Sequence, residues 1–134
     1  MTADILDGLI RYLLQQEQLT ALIQERLYPD ALPAKCKLPA VRVFEVDVSN
    51  VQVPLTGISG LRKARVQFDI FALQRSKTVE LANVLSAVLN GKRIAAPDCC
   101  LWVRSENQAS QIDSVTEIRR RVQDFVIFCQ EDVV

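Results

Sequence analysis

The strongest constraint on this chain is a run of strict alternation at its centre. Over residues 61–73, Ala64, Val66, Phe68, Ile70 and Ala72 take every second position, and Lys63, Arg65, Gln67 and Asp69 stand between them. A period of two places the two sets on opposite sides of a β-strand. One side is therefore read as buried and the other as wet, the pattern of an antiparallel sheet with a single core face. Such a sheet must cover that face with a second layer, so the chain must also supply helices.

Helical periodicity is present on both sides of the strand. Ile5, Leu6, Leu9, Ile10, Leu13 and Leu14 make an apolar stripe over residues 2–16, with Asp4 and Asp7 near the positive end of the helix dipole. A second, shorter helix is expected over residues 17–26 through Leu19, Leu22 and Ile23. Ser76 is the expected N-cap of a third, which carries Leu81, Val84, Leu85 and Val88 and ends at Gly91. Pro29, Pro33 and Pro39 break the chain into an irregular connector before the next strand.

Three further strands are expected. The first covers residues 40–48, with Phe44, Val46 and Val48 on one face and Val41 and Val43 starting the other. The second is short, residues 99–105, with Trp102 and Val103 on opposite faces. The last covers residues 115–130, where Ile118, Val122, Val126 and Phe128 share a face and Arg119, Arg121 and Gln123 alternate with them. Residues 49–60 are read as a long loop or a hairpin extension, residues 94–98 as a turn at Pro97, and residues 106–114 as polar loop. The expected fold is α+β. About four strands in a largely antiparallel sheet pack against the N-terminal helices and one central helix. Residues 1–134 are read as a single domain, which is what a chain of this length and 49% apolar content supports.

The residue inventory excludes several classes of function. With no histidine, the Ser-His-Asp and Cys-His nucleophile systems and the commonest general base are all missing. No carboxylate pair and no Gly-rich phosphate loop stands out, so the chain is read as a non-enzyme that binds no cofactor and takes no small-molecule substrate. Cys36, Cys99, Cys100 and Cys129 lack a Cys-x-x-Cys spacing and are read as reduced thiols rather than as a zinc site. Lys plus Arg and Asp plus Glu are 16 each, which disfavours nucleic acid as the primary ligand. No segment is long and apolar enough to span a membrane, and Met1-Thr2-Ala3-Asp4 reads against a secretory leader.

The order of short motifs is more informative than any one of them. Leu27-Tyr28-Pro29 precedes Leu38-Pro39-Ala40-Val41. Gly57-Ile58-Ser59-Gly60 then leads into Ala64-Arg65-Val66-Gln67-Phe68-Asp69-Ile70-Phe71-Ala72, followed by a helix rich in Leu, Ala and Val. Arg121-Val122-Gln123-Asp124-Phe125-Val126-Ile127 closes the series. In this order the chain resembles the phage tail-completion, or tail-terminator, proteins over about residues 5–129. The Cys99-Cys100-Leu101-Trp102 strand lies outside that likeness.

The resemblance implies a structural virion protein made in the host cytoplasm and sited at the head-proximal end of the tail. Such proteins cap the tail tube and provide the head-docking surface, working as a hexameric ring. The implied partners are further copies of the chain, the tail tube protein and a head connector protein, with DNA passing through the channel.

Two groups of residues are candidates for these contacts. Val51, Val53, Leu55 and Ile58 would form an apolar assembly loop. Arg62, Lys63, Arg65, Arg119 and Arg121 would face the ring lumen or a neighbour, against the simpler reading of solvated or acid-paired strand residues. Two other functions fit the same residues: a connector or neck protein on the head side, and a nucleic-acid-binding regulator that uses the arginine groups.

Overall fold

The computed structural model describes residues 5–50, 61–96, 99–112 and 116–131. In chain order the elements are α1 (Ile5–Leu14), α2 (Glu17–Ile23), β1 (Leu27–Pro29), β2 (Ala40–Asn50), β3 (Leu61–Ala72), α3 (Arg75–Leu89), β4 (Arg93–Ala96), β5 (Cys99–Ile112) and β6 (Arg119–Glu131). All six strands join one sheet in the order β1-β2-β3-β6-β5-β4. β1 runs parallel to β2 and every other pair is antiparallel.

The expected sheet of about four, largely antiparallel strands is thereby corrected to a mixed sheet of six. Both extra strands lie at the edges, where three or four residues suffice. β1 falls inside the proline-rich connector, and β4 takes the place of the expected turn before Pro97. β5 also continues through Ile112, across a segment read as polar loop, because pairing with β6 along one side satisfies its backbone without an apolar face. The expected loop over residues 51–60, with Val51, Val53, Leu55 and Ile58, lies outside the described residues.

One side of the sheet carries the core. Val41 and Val43 of β2, the alternating set of β3, Leu101 and Val103 of β5, and Phe125, Ile127 and Cys129 of β6 pack there. Ile5, Leu9 and Leu13 of α1, Leu19 and Ile23 of α2, and Leu81, Leu85 and Leu89 of α3 cover them. At the centre Phe68 meets Phe125 edge to face, with ring centroids 5.4 Å apart and planes at 84°. This arrangement contributes about 0.5–1.5 kcal/mol beyond the burial of the rings. Tyr12 donates a 2.6 Å hydrogen bond to the Val88 carbonyl and so ties α1 to α3. α1 touches β4 at one edge of the sheet and β1 and β2 at the other, which draws the sheet into an open half-barrel around the helices.

Three local readings change. The face shared by Val122, Val126 and Phe128 points away from the helices, and it is Phe125, Ile127 and Cys129 that enter the core. In β2 a bulge between Glu45 and Asp47 inserts one residue, so Phe44 and Val48 end on opposite faces. The third helix begins at Arg75 behind the N-cap Gln74, which places Ser76 inside the first turn. Its C-terminal boundary holds: Asn90 caps it and Gly91 follows in the left-handed region at φ 73°.

Candidate functional site

Among the described residues, the face of the sheet turned away from the helices carries a polar group that draws on three strands. β3 contributes Gln67, Asp69 and Phe71 at alternate positions; β2 contributes Arg42 and Phe44, and β6 contributes Arg120. The register sets Arg42 directly opposite Asp69 and Arg120 opposite Phe71, one step along. Three strands therefore converge on one carboxylate.

The carboxylate of Asp69 is fully buried. Its Oδ2 accepts from Nη2 of Arg42 and, at 2.9 Å, from Nη2 of Arg120, while Oδ1 accepts from Nε2 of Gln67 at 2.7 Å. The Arg42 guanidinium also lies over the rings of Phe44 and Phe71, 5.2 and 5.9 Å from their centroids. Stacking suits a planar, weakly hydrated cation and holds it in place for the carboxylate. Two guanidinium groups around one carboxylate give this triad one positive charge in excess. Two donors on Oδ2 and one on Oδ1 hold the Asp69 carboxylate in place as the anchor of this face.

Next to it, Asp124 of β6 faces Gln67 across the strands. Burial pushes its carboxyl above the ordinary value of 3.8; the nearby Arg65 opposes the shift, and the Asp69 and Glu106 carboxylates add to it. Its Oδ1 is buried and accepts no hydrogen bond.

Two depressions flank this centre. A largely apolar groove of about 620 Å³ runs between the β1–β2 connector, through Leu32 and Leu38, and Phe71, Ile112 and Ile118, with Lys35, Thr116 and Arg120 also in its lining. A smaller cleft of about 170 Å³ lies beside α3, lined by Arg75 and Thr78 of α3, Arg119, Arg120 and Arg121 of β6, and Ser110 and Ile112 of β5; it shares Ile112 and Arg120 with the groove. Among the described residues no carboxylate pairs with Arg75, Arg119 or Arg121.

The basic residues expected to act together are thus spread over three places. Lys63 and Arg65 are exposed on the outer face. Arg62 lies on the helix side at the far end of β3, with Nη2 3.9 Å from Sγ of Cys129. Arg119, Arg120 and Arg121 all line the cleft beside α3, and the guanidinium of Arg120 reaches outward to Asp69. Cys129 is buried in the core and Cys36 is half-exposed in the connector. Among the described residues no cluster of potential ligands could hold a metal.

The sequence alone does not mark Arg42, Asp69 or Arg75 as contact residues, and it marks Arg120 only as part of the run Arg119-Arg120-Arg121, which could touch DNA or an acidic neighbour. The available signal was Asp69 itself: aspartate is depleted in strands, and one at the middle of the strongest strand calls for partners.

Comparison with known proteins agrees with the sequence motifs. Residues 7–130 match the family described as Tail completion protein gp17. Among solved structures, a chain of the virion of a native gene transfer agent (GTA) particle superposes with a TM-score of 0.77. The superposition covers 94% of each chain at 16% identity, which establishes a shared fold. No curated protein sequence matches this one.

Proposed function

Because this chain belongs to the tail completion protein gp17 family, we propose that it caps the finished phage tail tube and presents the surface on which the head docks, as a hexameric ring. The coarser part follows from membership: the protein is a structural component of the virion tail. The observation that carries the proposal is the extent of the family match, residues 7–130 of a 134-residue chain. A match of that length takes in every strand of the sheet and all three helices.

The geometry is compatible with assembly work. A ring of identical subunits is a head-to-tail structure and needs two different complementary patches on each copy. The outer face around Asp69 and the arginine cleft beside α3, which meet at Arg120, offer surfaces of different shape for such contacts. In this reading residues 1–134 act as one domain, and Val51, Val53, Leu55 and Ile58 serve as an assembly loop. Arg62, Lys63, Arg65, Arg119 and Arg121 face a neighbouring protein or the DNA channel.

Labelling the protein in intact particles tests the assignment. Gold-tagged antibody is expected at the head-proximal end of isolated tails. Label on the portal vertex of tailless heads would instead assign the chain to the head side, as a connector or neck protein.

A further inference from the structure

The sheet has two open edges. β1 pairs only with Val41, Arg42 and neighbouring Val43, so residues 44–50 of β2 have no strand on their outer side among the described residues. β4 reaches only Trp102 of β5, and Gly91 and Lys92 extend the pairing to Val103. Beyond Ser105, whose backbone N–H donates to Oδ1 of Asn90 at 2.9 Å, residues 106–112 of β5 likewise have no strand beside them among the described residues, and each side chain described there is exposed. Exposed strand edges are normally blunted by proline or lysine because they template pairing with another chain. Neither stretch contains a proline or a lysine; each carries one bulge or irregularity, between Glu45 and Asp47 in β2 and between Ser105 and Gln108 in β5, and the strand beyond it stays open.

We propose that copies of this protein join edge to edge: residues 106–112 of β5 in one copy pair with residues 44–50 of β2 in the next. This deepens the ring proposal and rests on it. Direction permits the pairing. β2, β3, β6 and β5 are successively antiparallel, so β2 and β5 run in opposite senses and a head-to-tail repeat continues the sheet without a break in its pattern. The two stretches have matching lengths and are different surfaces, as a heterologous contact requires. They are offset along the strands: Asp47 lies in the same row as Arg104, through Arg65 and Val126. Centring one stretch on the other steps each copy by about four residues, or ~13 Å. Such a stagger tilts the strands against the axis, as closing a sheet on itself demands.

Charge favours a second copy as the occupant. The β2 edge exposes Glu45 and Asp47, with Glu45 on the helix side because it pairs with the core residue Val66. The β5 edge carries, beside α3, the cleft of Arg75, Arg119 and Arg121. Three like charges around one cleft repel each other, and a carboxylate brought in by the neighbour offsets that cost.

The test uses full-length variants, each checked for a native circular dichroism spectrum. Val48→Lys blocks the β2 edge and Ala109→Lys the β5 edge. Each alone is expected to weaken self-association at least about tenfold. An equimolar mixture retains one usable edge of each kind and is expected to stop at a dimer, about twice the 15.1 kDa chain, in analytical ultracentrifugation. Arg121→Glu is expected to weaken assembly, and Glu45→Arg in the same chain to restore it. Wild-type rings that persist in both lysine variants would overturn the edge pairing and leave the ring intact. Wild-type protein that stays monomeric at every concentration and on tail tubes would overturn both. If Arg121→Glu leaves assembly unchanged but abolishes binding to duplex DNA, the cleft belongs to nucleic acid and its part in the pairing is refuted.

Discussion

Replacing Asp69 with asparagine keeps the shape of the buried side chain and removes its charge, leaving Arg42 and Arg120 facing each other. Removing one partner of a buried ion pair costs about 3–5 kcal/mol when the remaining charge stays desolvated. Here the guanidinium groups keep some contact with water, their side chains being 28% and 31% exposed, so the low end applies, about 3 kcal/mol. An unfolding entropy of about 0.28 kcal/mol/K for a chain of this size converts that into a fall in Tm of about 11 °C. The arginine changes should cost less, because Asp69 keeps its other partner. Arg120→Ala should cost about 1 kcal/mol. Arg42→Ala should cost about 2, since it also loses its stacking on Phe44 and Phe71. Adding Arg120→Ala to Asp69→Asn should recover part of the loss by removing the repulsion between the two cations. Urea unfolding followed by circular dichroism measures all four. An Asp69→Asn variant within 1 kcal/mol of wild type, or one less destabilised than Arg120→Ala, would refute the reading of Asp69 as the anchor of this face.

Other expectations follow from the same structure. Asp124, whose carboxyl is raised above 3.8 chiefly by burial, binds its proton more tightly folded than unfolded. Stability should therefore fall as pH rises from 3.8 through the raised value, and Asp124→Asn should flatten that slope in pH-dependent urea titrations and stabilise the protein at neutral pH. Phe68→Ala removes the ring packed edge-on against Phe125 and should cost about 3–5 kcal/mol in the same assay. Ser86→Ala leaves Nε2 of the buried Gln123 without its 2.6 Å partner and should cost about 1–3 kcal/mol by chemical denaturation. Tyr12→Phe deletes the bond from α1 to the Val88 carbonyl and should cost about 1 kcal/mol, read as a Tm shift.

How much of this was legible depended on whether a residue's role was set locally. The alternation of β3 names its own core face, and the stripes of α1 and α3 name theirs, because each packs broadly against apolar neighbours. β1 and β4 carry too few residues to show a period. The second half of β5 shows none because it is an edge with both faces exposed. In β2 the pattern misleads, since a single inserted residue at the bulge reverses the facing of all that follow. In β6 apolar residues stand on both faces, and only Phe125, Ile127 and Cys129 meet the helices. The charged centre was hidden for another reason. Asp69 is separated from Arg42 by 27 residues and from Arg120 by 51, so no local pattern connects them. The run Arg119-Arg120-Arg121 looks like one basic patch in sequence, but the strand's own period sends Arg120 to the opposite face from its neighbours.

A protein that completes the tail and joins it to the head is missed most visibly when it is absent, so electron microscopy of particles produced with its gene disrupted is the direct test. Tails of abnormal length without heads are expected, beside filled heads without tails, with joined particles restored when the intact protein is supplied. Normal joined particles in the absence of the protein would contradict that role.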